Sequence, residues 1–140
     1  MREIRVYTDG GAINNPGIGA IGVYIDFGDK IKKYKAFLKE TTNNEAEYLA
    51  VIFALKKIKH LLGKKNLKDK KIVLHLDSEL VGNQILGKYK IREKKLQKLF
   101  IEFWNLKIDI PNLEIKIIPR EENKIADKLV KDILFSKKLF

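Results

Sequence analysis

One stretch constrains the fold more than any other: Tyr48-Leu49-Ala50-Val51-Ile52-Phe53-Ala54-Leu55 carries no charged side chain in a chain that is 34% charged. Thr41-Thr42-Asn43-Asn44 just before it supply helix N-cap residues, and Gly63 supplies a stop. The spacing predicts a helix over 44–62 that is apolar nearly all round its middle, and such a helix must be buried centrally. The segments before it, 2–8, 20–27 and 31–39, are rich in Ile, Val and Tyr and read as strands, the last two joined through the turn residues Gly28-Asp29. After it come a basic loop from Lys64 to Lys71 and a short apolar strand, 72–76, suited to burial on both faces. Helices are predicted over 78–86 and 94–106, a strand over 113–118 that stops at Pro119, and a last helix over 122–138 with Ile125, Leu129 and Ile133 on one stripe. The order βββ-α-β-α-α-β-α predicts one α/β domain over residues 1–140: a five-stranded mixed sheet with helices on both faces.

Composition narrows the partners. A formal net charge of +11 favours a polyanion, bound with salt-sensitive affinity. A bias toward Lys, Ile and Asn raises charge in any protein, so the inference needs a site beside it. The chain has no Cys, which excludes disulfides, thiolate metal sites and a Cys nucleophile and fits a reducing cytoplasm. The first residues lack the apolar core of a signal peptide, and no apolar run reaches the ~20 residues needed to cross a bilayer. A cytoplasmic monomer with no membrane partner is expected.

Gly17-Ile18-Gly19-Ala20-Ile21-Gly22 fits the GxGxxG dinucleotide pattern, but strand formers follow it where a helix should start. It is read as a glycine-rich turn and strand start. The carboxylates are more informative. Asp9 closes the first strand and Asp77 closes the strand 72–76. If those strands are parallel neighbours, both acids share the sheet edge where open α/β sheets place their sites. Acids at the start of the buried helix (Glu45 or Glu47, which spacing does not separate) and Asp127 near the start of the last helix can join them. Each acid alone has an ordinary role as turn former or helix N-terminal charge. Together they would repel one another and raise their own pKa values unless divalent cations were bound. Oxygen-only ligands point to Mg²⁺ or Mn²⁺, and two such ions roughly 3.5–4 Å apart suit phosphodiester hydrolysis.

Four blocks carry a resemblance. Tyr7-Thr8-Asp9-Gly10-Gly11-Ala12-Ile13-Asn14-Asn15-Pro16-Gly17, Thr41-Thr42-Asn43-Asn44-Glu45-Ala46-Glu47, Leu76-Asp77-Ser78 and Asn123-Lys124-Ile125-Ala126-Asp127 resemble, in order, the motifs of the type 1 ribonuclease H family. The resemblance spans nearly the whole chain and implies an RNase H-like fold. It implies an endoribonuclease that hydrolyses the RNA strand of RNA–DNA hybrids, leaving 5′-phosphate and 3′-hydroxyl ends. Asp9, Glu47, Asp77 and Asp127 are implied as catalytic ligands of two metal ions, with Glu47 chosen over Glu45 on the same ground. Asn15, Asn43 and Asn44 are implied to read the minor groove and its 2′-hydroxyls, which suits amides that both donate and accept. Thr42 is implied to hold a phosphate of the DNA strand.

Two departures mark this chain. Many members carry a His in the loop before the last catalytic Asp; here Pro119-Arg120-Glu121-Glu122-Asn123 has none, and Glu121 or Glu122 is a candidate substitute. His60 is read as surface and His75 as core. The basic protrusion of longer members is also missing, although Lys88, Lys90, Arg92, Lys94, Lys95 and Lys98, with Tyr89, offer a basic patch. Glu79 stands where a Gln often contacts substrate. The chain therefore looks like the compact, archaeal-type branch, for which double-stranded RNA is a further expected substrate. The rival readings are a catalytically weak hybrid or duplex-RNA binding module and another nuclease of the same fold, such as a junction resolvase or a 3′ exonuclease.

Overall fold

In the computed structural model, which describes residues 2–136, five strands and four helices follow in the expected order. They are β1 (Arg2–Ala12), β2 (Gly17–Asp26), β3 (Ile31–Thr41), α1 (Asn43–Leu67), β4 (Lys70–Leu76), α2 (Glu79–Ile85), α3 (Lys94–Ile108), β5 (Leu113–Ile117) and α4 (Lys124–Ser136). A 3-10 turn over Arg120–Glu122 precedes α4. The sheet order is β3-β2-β1-β4-β5. The pairs β1–β2 and β2–β3 are antiparallel, and β1–β4 and β4–β5 are parallel. Thr8 and Leu76 are register partners across β1 and β4, so the next residues, Asp9 and Asp77, leave the parallel pair side by side.

Helix α1 packs across β1 and β2, and α3 packs on α1. The apolar stretch of α1 lies in the main core with Ile4, Val6, Leu74 and Leu76 from the sheet and Phe103 from α3. Its one polar group, the Tyr48 hydroxyl, donates to Gln84 Oε1 at 2.6 Å, so burial leaves nothing unpaired there. On the other face α4 alone covers β1, β2 and β3, around Ala20, Val130 and Leu134. Among the described residues, no helix is long and apolar enough to cross a membrane.

Several predicted boundaries are corrected. Strand β1 does not end at Asp9 but pairs on to Ala12 opposite Gly19. Gly63 does break the helical conformation (φ 78°), yet a further turn resumes to Leu67, so the basic loop is shorter than expected and β4 starts at Lys70. The last helix starts at Lys124, and the predicted 137–138 lie outside the described residues. Its most buried positions are Ala126, Val130 and Leu134; of the predicted stripe, Leu129 and Ile133 are half-buried beside them and Ile125 is exposed. The reason is close packing: a Cβ on Gly22 would lie 2.5 Å from the Ala126 carbonyl oxygen, so small Ala126 must face the strand and Ile125 turns outward. The GxGxxG segment thus lies in β2, where its last glycine admits a helix rather than a phosphate.

Candidate active site

An open cleft of about 970 Å³ runs over the carboxyl ends of β1 and β4 and between the starts of α1 and α4. Asp9, Glu47 and Asp77 meet in it, each offering an oxygen within 4.8 Å of the others. Asp9 and Glu47 are only 8% and 7% exposed. Glu47 reaches the site because Gly10 lets α1 approach: a Cβ there would lie 2.3 Å from the Ala46 carbonyl oxygen. The Gly10 amide then donates to Glu47 Oε1 at 3.2 Å. Glu45 is engaged elsewhere, in a capping box with Thr42: the Glu45 amide donates to Thr42 Oγ1, and the Thr42 amide donates to Glu45 Oε1. That local motif separates the two acids physically.

Among the described residues, no lysine, arginine or histidine is within ion-pair distance of these three acids. Burial pushes Asp9 up to about 6, and the charges of Asp77 and Asp127 add to the rise. Burial, then the Asp9 charge, holds Glu47 well above the usual carboxylate range. Glu47 Oε2 is buried and has no hydrogen-bond partner. Three close carboxylates with an orphaned oxygen and no thiolate or imidazole among them fit a hard divalent cation such as Mg²⁺ or Mn²⁺.

Asp127 stands apart from this trio. It lines the same cleft, but its side chain is 43% exposed and pairs with Lys131 at 2.9 Å. Asn43 and Asn44 also line the cleft. Asn15 Oδ1 accepts from the Asn43 amide and Asn43 Oδ1 accepts from the Ala12 amide, both at 2.8 Å. These two side chains therefore brace the end of β1 against the start of α1, and their own N–H groups are left to donate outward. Thr42 is the N-cap of α1. Glu121 lines the cleft, whereas Glu122 lines only a separate hollow on the sheet face beyond α4. His60 is exposed; His75 is buried, stacked on Tyr7, with burial lowering its pKa. The residues from Lys88 to Lys95 named above, and Lys98, are exposed. Sequence reasoning gave no role to Gly10 or to Asn123, a 1% exposed amide that donates to Asp77 Oδ2 at 2.9 Å. The Asp-Gly pair signalled the first; nothing local signalled the second.

The acids converge where β1 and β4 leave their parallel pairing, the edge at which open α/β sheets place their sites. Residues 8–133 match the family described as "Reverse transcriptase-like". A ribonuclease H of Ruthia magnifica subsp. Calyptogena magnifica is 38% identical over 113 residues, which are 80% of this chain and 76% of that protein. LC11-RNase H1, isolated from compost by a metagenomic approach, superposes with a TM-score of 0.89 at 40% identity, with 100% of each chain covered. It has also been solved in complex with an RNA/DNA hybrid, with a TM-score of 0.85 over 92% of this chain and 94% of that one. RNase H1 from the halophilic archaeon Halobacterium salinarum NRC-1 is 29% identical, with a TM-score of 0.86 over 96% and 98% of the two chains. The chain belongs to the type 1 ribonuclease H family. Its α2–α3 connection, with no inserted helix, places it in the compact branch without the basic protrusion.

Proposed function

We propose that residues 1–140 form one catalytic domain that hydrolyses the RNA strand of RNA–DNA hybrids, leaving 5′-phosphate and 3′-hydroxyl ends. The observation that carries this is the trio Asp9, Glu47 and Asp77, two buried and one half-buried, with no cationic side chain of the described residues paired to it, in a chain 40% identical to an RNase H1 solved with a hybrid. Asp9, Glu47, Asp77 and Asp127 are the residues that would hold two divalent ions, Mg²⁺ or Mn²⁺, with Asp9 shared. Bound there, such ions supply activation of the attacking water and stabilisation of the departing 3′-oxygen.

The chain's own groups do the rest. Asn15, Asn43 and Asn44 present amides to the minor groove of the hybrid, where a 2′-hydroxyl marks the RNA strand. Because the oxygens of Asn15 and Asn43 already accept backbone N–H groups, these two act as donors. Thr42, whose hydroxyl oxygen accepts from the Glu45 amide and whose O–H is left to donate, receives a DNA-strand phosphate at the start of α1. The exposed basic run from Lys88 to Lys98, with half-exposed Tyr89, holds the backbone further along. Glu121, facing the cleft, takes the position of the missing loop histidine.

The test is a substrate panel with end-labelled RNA–DNA hybrid, duplex RNA and duplex DNA of one sequence, in Mg²⁺ and in Mn²⁺. Cutting of the RNA strand in the hybrid, with duplex DNA intact, is the expected result. Tight hybrid binding with no cutting in either ion would make the domain a binding module. Cutting of duplex DNA would make it another nuclease of this fold. Duplex RNA cleavage would extend the substrate range, as the compact branch leads one to expect.

A further inference from the structure

Asn123 is a buried amide, 1% exposed, directly behind the cleft-lining Asp77. It lies between the 3-10 turn and α4, where its own amide donates to the Arg120 carbonyl and its carbonyl accepts from the Asp127 amide. Its side chain reaches away from both, with Nδ2 at 2.9 Å from the Thr8 carbonyl oxygen and 2.9 Å from Asp77 Oδ2. Thr8 and Leu76 face each other across β1 and β4. One amide therefore ties the β1 backbone just before Asp9 to the side chain of Asp77.

The orientation of that amide is fixed by its surroundings. Both neighbours are acceptors, so turning it over would set its oxygen against a carbonyl and a carboxylate. In the observed orientation Asn123 Oδ1 is left buried and unpartnered, a cost that an arbitrary rotamer choice would avoid. The residue type also matters. A lysine or arginine in its place would pair with Asp77 and compete with a divalent cation. An aspartate would add one more carboxylate beside Asp9, Glu47 and Asp77. A neutral amide fixes one oxygen of Asp77 without neutralising it, and no other hydrogen bond of the described residues engages that carboxylate.

We propose that Asn123 is a positioning residue of the metal centre, holding the Asp77 carboxylate at a fixed distance and tilt from Asp9. The inference rests on the metal-binding reading above. Groups that hydrogen-bond to metal ligands commonly set affinity by about 10–100-fold, and Asn123 stands in that relation to Asp77.

The test measures Mn²⁺ binding directly, from the electron paramagnetic resonance signal of free Mn²⁺, on the substrate-free chain. Hybrid cleavage is followed in parallel, and thermal melting in chelator reports folding. Asn123→Ala is expected to weaken Mn²⁺ binding roughly 10-fold. It should lower kcat with little change in hybrid KM, and excess Mn²⁺ should recover most of the rate. Asn123→Ser, which keeps a donor and covers the case of an unstable alanine variant, should fall between the alanine variant and wild type. In an Asp77→Asn background, Asn123→Ala should change Mn²⁺ binding no further, because its effect runs through Asp77. A lower melting temperature with unchanged Mn²⁺ affinity would overturn the inference, since a purely structural role predicts that pair of results. So would full additivity with Asp77→Asn. A wild type that binds no Mn²⁺ would overturn the metal reading and this inference with it, an outcome distinct from the others.

Discussion

At the amino-terminal end of α1, Glu47 meets Asp9 and Asp77 with no cation of the described residues in ion-pair reach. Toward its other end, Asp109 is held between Lys59 and Lys64, at 2.6 and 3.3 Å. The same kind of group is treated in opposite ways. The Lys59 hydrogen bond holds Asp109 below the usual carboxylate range, whereas burial lifts Asp9 and Glu47 above it. Ion pairing near the surface leaves a carboxylate content with its charge and adds little to stability. A buried, unbalanced cluster weakens the fold and persists where a ligand of opposite charge completes it. The contrast sets a candidate site at one end of the helix against scaffold at the other.

The comparison is broken most directly by Glu47→Gln. Removing a group that stabilises developing charge commonly costs on the order of 10²–10³ in rate, so hybrid cleavage should fall at least that far. The melting temperature in chelator should hold or rise, because a repulsive neighbour has gone. A variant with near-wild-type cleavage would dissolve the distinction between the two ends.

Asp127→Asn is next. Asp127 is outside the close trio and already paired with Lys131, so the expected loss in single-turnover rate is smaller, roughly 10–100-fold, as for groups that act on a metal site from its margin. A loss equal to that of Glu47→Gln would place Asp127 on a par with the trio.

The metal-free protein should also show an inverted pH response. Folding raises Asp9 from its ordinary 3.8 to about 6, so between those values the folded chain binds more protons than the unfolded one. That contribution to stability is full below the lower value and is lost as pH rises through about 6. Scanning calorimetry in chelator should therefore give a melting temperature roughly 3–6 °C higher at pH 5 than at pH 7. Mg²⁺ or Mn²⁺ should remove most of the difference at pH 7, since binding requires the deprotonated ligands. A melting temperature that falls steadily from pH 7 to pH 5 in chelator would contradict this.

Lys59→Ala is the smallest expected effect. It loosens Asp109, should lower the melting temperature slightly, and should leave the cleavage rate unchanged in the assay used for Glu47→Gln.

Sequence patterns revealed much of this but not its close fits. The all-apolar run from Tyr48 announced the central helix, and short apolar 72–76 announced a strand covered on both faces. Their order left open whether the strands bearing Asp9 and Asp77 are parallel neighbours, as the β1–β4 pairing makes them. The tilt of α4 was not legible, because Ile125, Leu129 and Ile133 make as good a stripe as Ala126, Val130 and Leu134. Only the approach to Gly22, a contact distant in sequence, decides between them. The capping box at Thr42 and Glu45 was readable in principle and would have separated Glu45 from Glu47 without any comparison. Asn123 was beyond reach: its partners, Thr8 and Asp77, are joined to it only by folding.

On the proposed reading, the unbalanced trio holds the catalytic metal. The most direct measurement is the rate of RNA-strand cleavage in a hybrid as Mn²⁺ is raised from zero, for wild type, Asp9→Asn and Asp77→Asn. The account predicts no cleavage in chelator, a saturable rise for wild type, and a flat response for both variants despite intact folding and hybrid binding. Cleavage by wild type in chelator, or a wild-type response to Mn²⁺ in either variant, would contradict it.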